Sequence, residues 1–267
     1  MFYEHDGGKL FYEAFGSDSS LTLVFLHGVA MDHKTFDSQT AELQHHYKVI
    51  TVDLPAHGES TPLDRSLPYS KTCAHIIAGL LDHLKIDKAI FIGQSLGSFI
   101  VSHAAALHPE KVLATIHIGG GGLYPKSSAL LKGVNPSIAP FITLLPNKYT
   151  FKTFADHKAL KPHTKGYMIK TAATTGKSVI IQLTKAMITD MTEGTSAPIQ
   201  QPTLILYGDH EAAYVKRMNI KFHETLNNSR LVVIKEAHHI ANQDNPEAFN
   251  KEVISFIKDI TKDPVSL

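Results

Sequence analysis

The sequence predicts an α/β protein with a mainly parallel central sheet, helices on both faces and an inserted helical cap. Continuous apolar strands recur at Leu21–Leu26, Tyr47–Val52, Lys88–Ile92, Val112–Ile118 and Pro202–Tyr207. They lack the in–out alternation of a half-exposed sheet, so both faces are buried, as in parallel sheets. Segments of helical spacing separate these strands, which is the repeat of an α/β layer architecture. From Leu123 to about Ala197 the strand signal stops and only helical stretches remain. The expected division is therefore a core of residues 1–122 and 197–267 with a cap of residues 123–196.

Phe2–His5 and Lys9–Ala14 read as a hairpin turned through Asp6-Gly7-Gly8. Thr35–Gln44 is expected as a helix, and Ser70–Leu84 as another, with Ile76, Ile77, Leu80, Leu81 and Leu84 on its apolar face. Gly119-Gly120-Gly121-Gly122 is expected as a flexible exit from the sheet, since four glycines suit neither a helix nor a strand interior. Within the cap, Lys177–Met191 places Ile180, Leu183, Met187 and Met191 on one helical face, where the methionines are expected to pack. The run Ile138–Leu145 is a candidate pocket wall. Past Tyr207, a helix near Tyr214–Leu226, a strand Arg230–Ile234 and a closing helix are expected. Asn245 caps that last helix and Pro246 takes its first position.

Composition excludes several functional classes. A net charge of +1, with Lys and Arg dispersed, offers no footprint for nucleic acid or an anionic membrane. Cys73 is the only cysteine, so an intrachain disulfide is impossible and a cytoplasmic setting is expected. The N-terminus lacks the basic start and apolar run of a signal peptide, and no segment has the length to span a bilayer. Seventeen histidines are present, but none has His-Glu-x-x-His spacing, so no metal is expected.

The chemistry centres on Gly93-Gln94-Ser95-Leu96-Gly97. A serine between two glycines, after a buried strand and before the helix Phe99–Leu107, reads as a strained nucleophile elbow. The Leu96 amide then lies in the first helical turn, where free donors and the helix dipole suit an oxyanion. A serine needs a base and a group to orient it. Asp209 and Glu211 follow one late strand, and His238 and His239 follow the next.

Taken together, these motifs resemble the α/β-hydrolase superfamily, in its compact esterase-like branch with a helical cap. The resemblance rests on His27-Gly28-Val29, the loop Asp53–Ser60, the elbow, the turn Leu206–Glu211 and the loop Ala237–Pro246. It implies Ser95 as nucleophile and the amides of Val29 and Leu96 as oxyanion hole. It selects His239, seven positions before Pro246, and Glu211, three after Gly208, with Asp209 as the alternative acid. His238 stands where the family usually has glycine, and Ala56 where it often has glycine. The implied activity is carboxylesterase action on a small-to-medium, largely apolar molecule, without metal or organic cofactor. Lactone hydrolysis, carbon–carbon bond hydrolysis, acyl transfer and slow-hydrolysing ligand sensing share the same residues. Dehalogenase and epoxide hydrolase branches, which use aspartate at the nucleophile position, are disfavoured by Ser95. His27 and His57 are expected to brace their loops, Asp53 to end a strand and Cys73 to pack.

Overall fold

The computed structural model describes residues 1–18, 20–64, 68–124, 126 and 146–262. The candidate pocket wall Ile138–Leu145 lies outside the described residues. Eight strands form one sheet: β1 Phe2–His5, β2 Gly8–Phe15, β3 Thr22–Leu26, β4 Lys48–Val52, β5 Ala89–Gln94, β6 Val112–Ile118, β7 Thr203–Gly208 and β8 Ser229–Ile234. Their spatial order is β1-β2-β4-β3-β5-β6-β7-β8. Only β1 against β2 and β2 against β4 run antiparallel; every other pairing is parallel.

Side chains alternate along the parallel strands β3 and β5, and both sets are buried. Val24 and Leu26 of β3 and Phe91 of β5 join a core with α2 (Tyr69–His83) and α3 (Leu96–Leu107). Leu23, Phe25, Ile90 and Ile92 point the other way, against Leu43 of α1 (Asp37–Leu43) and Phe249, Val253 and Phe256 of the closing helix Pro246–Lys262. That two-sided burial is why the strands read as unbroken apolar runs. The first helix differs from expectation at its start. His33–Phe36 forms a 3-10 turn, with the Asp32 carboxylate accepting from the Lys34 amide, before α1 begins at Asp37. At the closing helix, Asn245 Oδ1 accepts from the Ala248 amide at 3.2 Å, the bond expected of an N-cap.

The inserted helical cap contributes α4 (Asn147–Asp156), α5 (Pro162–Thr175) and α6 (Lys177–Glu193). Polar ties hold it to the core. Asp190 of α6 accepts from Ser70 Oγ of α2 at 2.5 Å and from His103 Nε2 of α3 at 3.3 Å. Tyr167 of α5 bonds Asp32, and the Asp244 carboxylate receives the amides of Leu160 and Lys161. Among the described residues no helix is long and apolar enough to cross a membrane.

One expectation needs correction here and another is extended. Gly119, Gly120 and Gly121 are buried rather than a loose exit. A Cβ at Gly119 would stand 2.9 Å from His239 Nδ1, and one at Gly122 would collide with the Phe222 ring. Glycine is required there by close approach, and positive φ is used only at Gly119 (+58°). Met187 packs against the core as expected, but it also lines, with Met191, an open cavity beneath the cap. The periodicity that finds an apolar helix face cannot say whether that face meets a core or a void.

Candidate active site

The elbow begins where β5 ends. Ser95 has φ +52° and ψ −109°, a strained combination for a side-chain-bearing residue. Its amide donates to the Ile118 carbonyl of β6 at 2.8 Å, and Ser98 Oγ donates back to the Gly93 carbonyl at 2.7 Å. A Cβ at Gly93 would strike the Gly97 carbonyl, and one at Gly97 the Leu26 carbonyl. Both flanking glycines are therefore fixed by contact between the turn, α3 and β3. Leu96 opens α3, and neither its amide nor that of Val29 has an acceptor among the described residues. Val29 and Ser95 line the same cavity.

Glu211 and His239 meet from separate loops. Their contact, Oε2 to Nδ1, is 2.6 Å. A carboxylate only accepts, so Nδ1 carries the proton and Nε2 presents its lone pair. Nε2 is buried and has no hydrogen-bond partner among the described residues, while the ring lines the cavity that also holds Ser95. Ser95 Oγ and His239 Nε2 form no hydrogen bond with each other. Such contacts commonly tighten only when substrate is bound. Asp209 goes elsewhere: its Oδ1 accepts from His210 Nδ1 at 2.8 Å and from the Ala237 amide at 3.1 Å. His238 takes a supporting place, with its Nδ1 accepting from the His239 amide at 2.8 Å.

Burial pushes the His239 imidazole below its ordinary value, and the charge of Lys158 adds to this against the opposing pull of Glu211. Burial raises the Glu211 carboxyl, but His239, Lys158 and the Ala212 amide outweigh it and hold the group well below the usual range. At neutral pH the pair is an ionised carboxylate bonded to a neutral imidazole.

Further in, His27 Nε2 accepts from the Leu54 amide at 2.9 Å, and His57 Nε2 from the Ala30 amide at 3.1 Å. These rings brace the loops as expected. Asp53 does more than end a strand, since it gathers the His33 amide, His33 Nδ1 and the Glu59 amide. Cys73 is buried, with its thiol pushed up by that burial. Gln94, unremarked in the sequence, donates from Nε2 to the His239 carbonyl at 3.1 Å and so ties the elbow to the histidine loop. Nothing in its type or spacing signals this, because the partner is 145 residues away.

Four fully buried histidines have depressed basicity. Burial is the leading cause at His27, His57, His117 and His239, with His57 and His117 brought down to about 3. The unfolded chain binds protons at these rings near pH 6.5 whereas the folded chain does not, so stability falls as pH drops below that value. For His57 and His117 the loss is on the order of 2 kcal/mol each at pH 5, and His27 and His239 contribute in the same direction. His33, raised by its Asp53 and Glu13 partners despite burial, opposes the trend. Urea unfolding at pH 7, 6 and 5 is expected to show a steep decline, shallower in His117→Leu. Equal stability at pH 7 and pH 5 contradicts the assignment.

The family model for the alpha/beta hydrolase fold matches residues 22–246. The chain belongs to the α/β-hydrolase fold family. Among curated relatives it is 25% identical to an uncharacterized hydrolase, YugF, of Bacillus subtilis (strain 168), over 95% of this chain and 96% of that one. It is 24% identical to the pimeloyl-[acyl-carrier protein] methyl ester esterase of Pectobacterium carotovorum subsp. carotovorum (strain PC1), over 92% and 98% of the two chains. The α/β-hydrolase architecture recurs in the esterase EaEST from Exiguobacterium antarcticum, with a TM-score of 0.81 and 23% identity over 95% and 97% of the two chains.

Proposed function

We propose that this α/β hydrolase is a serine esterase, cleaving carboxylic esters of small-to-medium, largely apolar substrates through an acyl-enzyme. The observation that carries the reading is the free Nε2 of a Glu211-bonded His239, lining the same cavity as the strained Ser95. The cavity, of about 200 Å³, is mainly apolar and is walled by cap and core together. Pimeloyl-[acyl-carrier protein] methyl ester esterases from three bacteria are among the relatives, which favours an ester bond as the target.

In this reading Ser95 Oγ attacks the carbonyl carbon while its proton passes to His239 Nε2. The Val29 and Leu96 amides receive the oxyanion, and Glu211 stabilises the imidazolium. Collapse breaks the bond to the leaving alcohol, which takes the proton from His239. Water then repeats the sequence on the acyl-enzyme and releases the carboxylic acid and free Ser95.

The direct test is hydrolysis of p-nitrophenyl esters with acyl chains from acetate to laurate. Sustained turnover is expected, with the preferred length sizing the cavity. A burst of one equivalent, or no release at any length, overturns the reading and favours a ligand sensor or a hydrolase of other bonds. Because neutral His239 is the base and its basicity is depressed, kcat/KM is expected to hold from pH 8 to below about 6.5 before falling. A rate that rises towards acid is incompatible with that base.

A further inference from the structure

One charge in the cavity has no role in the steps above. Lys158, half-buried in the linker between α4 and α5, lines the cavity with Ser95 and His239. Its carbonyl accepts from the Ile240 amide at 3.2 Å, which fixes the linker against the histidine loop. Its ammonium has no hydrogen-bond or ion-pair partner among the described residues, and the nearby acids are committed elsewhere. Asp156 is paired with Lys152 and Lys165, and Glu236 with Lys161. Asp244 receives the amides of Leu160, Lys161 and His238. Both Glu211 oxygens are taken, by His239 and the Ala212 amide. An ammonium left unpaired against apolar walls gains by meeting an anion.

The walls are equally specific. Met31, Met168, Met187, Met191 and Met218, five of the six methionines in the chain, line this cavity. Thioether side chains adapt their shape to a flexible chain and supply no competing hydrogen bonds.

We infer that the physiological ester carries a carboxylate, its flexible aliphatic chain lying along the methionine wall and its charge meeting the Lys158 ammonium. A half-ester of an aliphatic dicarboxylic acid has this form. A phosphate is disfavoured, because Lys158 is the only Lys or Arg among the described lining residues and a dianion calls for more donors. This inference rests on the serine esterase reading and assigns its substrate class.

The test compares p-nitrophenyl half-esters of dicarboxylic acids four to ten carbons long with their ω-carboxamides, which keep the shape and remove the charge. For wild type, kcat/KM is expected to favour the acid by about tenfold at the best-fitting length, the worth of one charge-assisted contact. In Lys158→Gln the preference of acid over amide should vanish, beyond any change the two substrates share through His239, and Lys158→Arg should restore it. No preference for the acid at any length overturns the inference. So does an equal loss on acid and amide in Lys158→Gln, which would mean that the charge acts only through His239.

A binding measurement separates this failure from failure of the esterase reading itself. Calorimetric titration of octanoate and octanamide into Ser95→Ala needs no turnover. Tighter octanoate binding that disappears on adding Lys158→Gln supports the anion site even if no ester is cleaved. Octanoate binding that does not depend on Lys158 places the anion elsewhere and overturns the inference.

Discussion

Ser95→Ala is expected to lower kcat for p-nitrophenyl esters by about 10⁵–10⁶-fold with little change in fold or ligand binding. The size follows from the chemistry: without Oγ no acyl-enzyme forms, and only the oxyanion donors and binding remain to accelerate direct attack by water. Stability separates this from a folding defect. Ser95 sits at φ +52°, so alanine inherits the same backbone strain and should unfold at nearly the wild-type midpoint. Ser95→Gly should be equally inactive yet more stable by about 1 kcal/mol, because glycine adopts that conformation without the steric cost. An inactive Ser95→Gly that is also less stable than wild type shows that the elbow is not strained as described. Nitrophenol release retained by both variants removes Ser95 from the chemistry.

The elements legible in the sequence are those set by local pattern. Apolar runs buried on both faces announced β3 to β7, and the glycines around Ser95 announced a turn whose contacts with β3 and α3 leave no room for Cβ. Asn245-Pro246 announced the start of the closing helix, and the cap bond followed. What escaped was decided across the fold. The four glycines after β6 carry no local sign of whether they are loose or tightly packed, because His239 and Phe222 arrive from 100 or more residues away. Gln94 and Asp244 tie the histidine loop to the elbow and to the cap linker through amides and carbonyls, which no side-chain periodicity encodes. Lys158 reads as an ordinary surface lysine until its neighbours' partners are accounted for.

The two acids after β7 provide the other large effect. Glu211→Gln is expected to lower kcat by about 10³–10⁴-fold, whereas Asp209→Asn should remain within about fivefold of wild type. Spacing alone left both acids available, one and three positions beyond Gly208. Their surroundings differ in kind. Glu211 is 4% exposed, bonded to His239 at 2.6 Å and placed to stabilise a buried imidazolium as it forms. An amide there can turn its NH₂ towards Nδ1, which favours the wrong tautomer and occupies Nε2 with the proton. Asp209 holds the Ala237 amide at the loop entry, so its loss costs about 1 kcal/mol of stability rather than chemistry. The pH profile supplies an independent sign. Glu211 raises the basicity of His239 against the opposing effects of burial and Lys158. Removing its charge should therefore shift the acid limb of kcat/KM to lower pH in Glu211→Gln, while Asp209→Asn leaves the limb in place. If Asp209→Asn is the more damaging variant, and moves the limb, the roles of the two acids are reversed.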